Sequence, residues 1–124
     1  DNLGPLAGIL SAMKSFPDTK WLVVACDLVN LDSETLSYLI KNYSSKHYFT
    51  AYRSEYDGLP EPLCAIYSDD SIAIIEENIS NNVKCPRKIL LNSNTLLLSQ
   101  PNPDALENFN APDDLIDTKY RAQV

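Results

Sequence analysis

Two short stretches of the chain carry residues whose types and spacing suit phosphate chemistry. The first is "GPLAG", residues 4 to 8. Gly4 and Gly8 are two of only three glycines in 124 residues, so their placement four apart needs a reason. Glycine permits unusual dihedrals and close backbone approach. Pro5 suits the first position of a helix, where its missing N–H would be an orphan anyway. The stretch therefore reads as a tight turn into a helix N-terminus. Such a terminus offers free N–H groups and the positive end of the macrodipole to an anion. It also reads as plain helix-start punctuation. The second stretch is "WLVVACD", an apolar run closed by Asp27. In layered α/β folds ligands bind outside the carboxyl ends of the strands. That rule picks out Asp27, unless the acid simply begins the next turn.

Other chemistries are poorly served. Cys26, Cys64 and Cys85 are isolated and odd in number, without a CxxC pair, which argues against a zinc ribbon or redox dithiol. Cys26 and Cys64 lie in apolar runs and read as small buried hydrophobes, in keeping with a reducing cytoplasm. His47 is the only histidine and reads as structural or surface. No Ser or Cys stands in a nucleophile context. A formal net charge of −7 disfavours general binding to nucleic acid or anionic membranes. A small phosphorylated ligand needs only local donors, a cation or two, or a metal. The apolar runs are too short to span a bilayer, and no signal-peptide pattern opens the chain. A hydrophobic content of 44% is enough for a packed core, in one domain or part of one.

The elements that must position these residues follow from periodicity. Leu6, Ile9, Leu10 and Met13 recur at helical spacing from Pro5 to Lys14, and Pro17 ends the run. Trp21 to Cys26 is unbroken and apolar, as in a strand buried on both faces. Asp32 or Ser33 can cap a helix reaching about Tyr43. "HYFTAYRS" reads as a strand, "DGLP" as a turn, and "EPLCAIY" as another strand. "SDDSIAIIEENISNN" reads as a helix with Ile72, Ile75 and Ile79 on one face. "CPRKILLNSN" is a short helix begun by Pro86, and "TLLLSQ" a last strand. The tail predicts a loop and a short helix from Pro112. Strands alternating with helices predict an α/β fold: a three-layer, Rossmann-like, mostly parallel sheet flanked by helices.

In this order and spacing, "GPLAGILSAM", "WLVVACDLVNL", "EPLCAIY" and "NFNAPDDL" resemble the molybdenum cofactor guanylyltransferase family of nucleotidyltransferases. "GPLAG" and the Cys-Asp pair match the family pattern. "NFNAPDDL" departs from it at Ala111, where the family usually has Thr. The resemblance runs from Gly4 to about Leu115. It implies transfer of GMP from GTP to the terminal phosphate of molybdopterin, with release of pyrophosphate and dependence on Mg²⁺. Asp27 matches the family's metal-binding aspartate. Gly4, Pro5, Leu6, Ala7 and Gly8, with Asp27, would line the nucleotide. Pro62, Asn108 and Asn110 match the acceptor side. An amide both donates and accepts, which suits a pterin edge and a phosphate. Without the resemblance the asparagines read as loop caps. Arg53, Lys84, Arg87 and Lys88 have no assignment and read as solvated surface.

Family members hold the triphosphate on a glycine-rich loop containing Arg and Lys, after a first strand. With three glycines, this chain has no such loop. The expectation is therefore the C-terminal part of a single, longer transferase domain, inactive alone. The resemblance further implies a cytoplasmic protein, with a homodimer and transient contacts to other molybdenum cofactor proteins as its associations. A related transferase using CTP or a sugar-phosphate acceptor, or a non-catalytic binding module of the same fold, would share these motifs.

Overall fold

The computed structural model describes residues 4–26, 28, 30–102 and 106. Helix α1 spans Pro5–Ser15, strand β1 Trp21–Val24, helix α2 Ser33–Lys41 and strand β2 Phe49–Arg53. Strand β3 spans Pro60–Tyr67, helix α3 Ser71–Ser80, helix α4 Pro86–Leu91 and strand β4 Thr95–Leu98. The sheet has the order β1-β3-β2-β4.

The layers are those expected of an α/β fold. On one face, Leu6, Leu10 and Met13 of α1, Ile75 of α3 and Ile89 and Leu90 of α4 pack on Phe49, Ala51, Ala65 and Tyr67. On the other face, Leu39 of α2 and Leu106 meet Tyr52, Cys64 and Ile66. Side chains alternate across a strand, so β2 and β3 feed both clusters. Both strands are inner, and each is buried along most of its length because each is covered twice.

β1, β2 and β4 share one direction. β3 runs against both of its neighbours, and only β2 and β4 are bonded in parallel. The reason is the connection. β2 and β3 are joined by the short Ser54–Leu59 turn, closed by a Ser54 N–H to Leu59 carbonyl bond of 2.8 Å. A parallel pair needs a crossover of a dozen or more residues, so these strands can only form a hairpin. Gly58, at φ 73°, supplies the left-handed residue of the turn.

The reading of Trp21 to Cys26 as a strand buried on both faces is corrected. β1 stops at Val24 and lies at the sheet edge, with Leu22 39% and Val24 41% exposed. Its last tie to β3 is the Ala25 N–H to Leu63 carbonyl bond at 2.8 Å, after which the chain turns away. Cys26 is therefore exposed rather than a buried hydrophobe, whereas Cys64, inside β3, is fully buried. α2 ends at Lys41, short of Tyr43, with Asn42 as its C-cap. The helix expected from Pro112 lies outside the described residues.

No strand among the described residues pairs with the outer edge of β1. Phe16, 59% exposed, has its ring centroid 6.0 Å from that of Trp21 at the start of β1. Open strand edges of this kind template pairing with other chains. The 124-residue polypeptide prepared alone is accordingly expected to self-associate. Light scattering on a sample of verified mass checks this, and a monodisperse monomer that melts cooperatively would count against it.

Candidate functional site

The carboxyl ends of β1, β2 and β4 and the amino end of β3 lie at one end of the sheet. α1 leads through the Phe16–Lys20 turn into the amino end of β1. α2 follows β1. Asp32 caps it by accepting the Thr35 N–H at 2.8 Å, as its residue type predicts. The second Asp32 oxygen accepts from the Asn102 amide at 2.8 Å, which ties the chain after β4 to α2. Hydrogen bonds from Thr35 and Asn102 hold the Asp32 carboxyl below its ordinary range.

A pocket of about 340 Å³, including its open mouth, sits at this end. Its apolar walls are Ala25 and Leu28 after β1, Leu63 and Cys64 of β3, and Leu106. Pro62, Glu61 and Arg87 complete it. A concave, largely apolar site with a few fixed polar groups is the usual form of a small-molecule pocket.

Glu61 and Arg87 form an ion pair at 3.1 Å. Arg87 Nε also donates to the Pro60 carbonyl at 3.0 Å, so one guanidinium pins the start of α4 to the start of β3. Burial pushes the Glu61 carboxyl above its ordinary range, and the Arg87 charge opposes that shift. Reading Arg87 as solvated surface is therefore corrected. It is half-exposed, but it is paired and lines the pocket. Periodicity could not find this pair, because its members stand 26 positions apart and meet only through the sheet. The local signal was slight: an acid between two prolines, Pro60 and Pro62, and an arginine just inside a helix begun by Pro86.

Of the residues singled out in the sequence, Pro62 lines the pocket. Gly4 to Gly8 do not; they form the entry and first turn of α1. Gly4 is the N-cap at φ 57°, ψ −132°, a conformation suited to glycine. Gly8 lies within the helix, exposed, and a Cβ there would meet nothing within 4 Å. Asp27, Asn108 and Asn110 lie outside the described residues. The pocket nevertheless gathers Ala25, a near neighbour of Asp27 in sequence, and Leu106, a near neighbour of Asn108 and Asn110. His47 bonds Ser44 Oγ through Nδ1 at 2.8 Å.

Among the described residues no three His, Cys, Asp or Glu side chains cluster as a metal cage. Asp32 and Glu61 are each already engaged by a donor. A magnesium ion needs no cage, since it commonly takes one or two carboxylates and fills its sphere with water and phosphate oxygens. The larger depression, about 660 Å³, lies near the amino ends of β2 and β4 and is lined by Tyr48, Asn78, Asn81 and Asn94 among others. Asn78 and Asn94 there already donate to backbone carbonyls at 2.8 and 3.1 Å. No helix among the described residues is long and apolar enough to cross a membrane.

Comparison with known proteins agrees with this architecture. A molybdenum cofactor biosynthesis bifunctional protein of Synechocystis sp. is 32% identical over 114 residues, which is 92% of this chain and 33% of that protein. A Clostridium perfringens protein named "Probable molybdenum cofactor guanylyltransferase" is 34% identical over 79 residues, 64% of this chain and 38% of its own length. The chain thus spans about a third of the curated relatives it matches. The solved structure of molybdopterin-guanine dinucleotide biosynthesis protein A from Archaeoglobus fulgidus superposes with a TM-score of 0.74 at 22% identity. That match covers 95% of this chain and 62% of the other and shows the shared fold. A family model matches residues 1–95, and the chain belongs to the family that it describes, the MobA-like NTP transferase domain.

Proposed function

We propose that the protein containing this chain transfers GMP from GTP to the terminal phosphate of molybdopterin. An acceptor phosphate oxygen attacks the α-phosphorus of GTP. The bond from that phosphorus to the bridging oxygen breaks, and pyrophosphate leaves. Little covalent work falls to the protein in such a transfer, and positioning and charge neutralisation dominate. Magnesium held by Asp27 would supply the neutralisation. Gly4 to Gly8 would face the nucleotide. Pro62, Asn108 and Asn110 would face the acceptor.

The observation that carries this reading is the pocket at the carboxyl end of β1, in a chain of a nucleotidyltransferase family. It puts Pro62 beside the residues that flank Asp27 in sequence. Cytoplasmic location, a homodimer and contacts with other molybdenum cofactor proteins accompany the proposal.

The test uses the intact protein with GTP, Mg²⁺ and molybdopterin. Pyrophosphate release that requires both metal and acceptor is expected. Equal turnover with CTP, or none with any nucleotide, would replace this reading with the related transferase or the non-catalytic module. The isolated 124-residue polypeptide is expected to release no pyrophosphate above background. It contains no glycine-rich phosphate loop to orient the triphosphate. Measurable turnover by that polypeptide would refute this expectation.

A further inference from the structure

Glu61 is a carboxylate built into the pocket wall rather than left in solvent, with 24% of its side chain exposed. Arg87 holds one of its oxygens at 3.1 Å and is itself anchored on the Pro60 carbonyl at 3.0 Å. The carboxylate is thus oriented. Its second oxygen has no hydrogen-bond partner among the described residues. Within the pocket lining Glu61 and Arg87 balance each other's charge, so the wall is not basic, and the unpaired carboxylate oxygen favours N–H donors. The remaining walls are apolar, with Pro62 beside Leu63 and Cys64. Such a pocket suits an apolar ring that presents a donor edge to the acid.

We propose that Glu61, oriented by Arg87, reads the edge of a 2-amino-4-oxopyrimidine ring, the donor pattern that pterins and guanine share. That edge offers a ring N–H beside an exocyclic amino group. A carboxylate has about four acceptor sites and can take both while still bonded to Arg87. The inference rests on the proposed function, which brings one guanine and one pterin to this end of the sheet.

Equilibrium binding to the intact protein tests it with two probe pairs. Pterin is compared with lumazine, and GMP with IMP; the second member of each pair lacks the 2-amino group. At least one pair should be discriminated by roughly tenfold or more, as expected for a hydrogen bond to a charged acceptor. Glu61→Gln should reduce that ratio several-fold, with a smaller loss of lumazine or IMP affinity, since these keep only the ring N–H, and with the melting temperature nearly unchanged. Discrimination within the pteridine pair assigns the pocket to the acceptor; discrimination within the nucleotide pair assigns it to the base. If Glu61→Gln does not fold, Glu61→Asp keeps the charge, shortens the reach, and should show the same loss of discrimination. The absence of discrimination in both pairs, or its survival in the folded variant, overturns the proposal. Pyrophosphate release by the unaltered protein, measured in parallel, separates this failure from failure of the proposed function.

Discussion

Replacing Asp27 by Asn in the intact protein should reduce nucleotidyl transfer by about two orders of magnitude or more, with little change in melting temperature. The substitution preserves the side chain's shape and removes the anion that would bind magnesium. A metal ion contributes several kcal/mol of charge stabilisation to phosphoryl chemistry. Each 1.36 kcal/mol is worth about tenfold in rate, so losing roughly 3 kcal/mol gives about a hundredfold. Two further signs belong to this mechanism alone. The variant should need more Mg²⁺ to reach half its residual rate, and its affinity for GTP without metal should hardly move. The measurement is pyrophosphate release across a magnesium titration, beside a thermal melt. Unaltered turnover in a folded variant would remove Asp27 from the reaction.

Substitutions at the two glycines of "GPLAG" should change stability in opposite directions. Gly4 caps α1 at φ 57°, ψ −132°, without a side-chain cap bond. A Cβ there meets no neighbour, so the cost of alanine is local backbone strain, about 1–3 kcal/mol. Gly4→Ala should therefore lower the melting temperature. Gly8 sits inside α1 in an exposed position where nothing limits a side chain. Glycine inside a helix costs roughly 0.5–1 kcal/mol relative to alanine, so Gly8→Ala should stabilise the fold by about that amount. The folded chain thus leaves Gly8 without a structural purpose among the described residues. If the bare backbone admits the nucleotide, the same Gly8→Ala that raises the melting temperature should lower kcat/KM for GTP by roughly tenfold to a hundredfold through misplacement. Higher stability with unchanged kinetics would mark Gly8 as a helix residue and nothing more.

Much of this molecule was decided by local physics and is legible in its sequence. Pro5 starts a helix because its ring sets φ and it lacks only an N–H that would be spare. Asp32 caps α2 because a short carboxylate reaches the amide of Thr35. Asp57 and Gly58 turn the chain between β2 and β3 because glycine tolerates positive φ. Each of these needs only a few neighbouring residues, and so does the order of helices and strands. The motif order likewise pointed to a nucleotidyltransferase family, to which the chain belongs.

The tertiary structure decided what depends on distant pairing. The apolar run Trp21–Val24 looks the same whether it lies inside a sheet or at its margin; only the partners present make β1 an edge and leave Cys26 exposed. An alternation of strands and helices suggested parallel neighbours, but the hairpin set β3 against both of its own. Composition put Arg87 in solvent. Packing α4 on the sheet brought it to Glu61 and made the pair one wall of a pocket. No residue type or spacing announces that meeting, because the free energy that joins the two side chains exists only once the intervening sheet has formed.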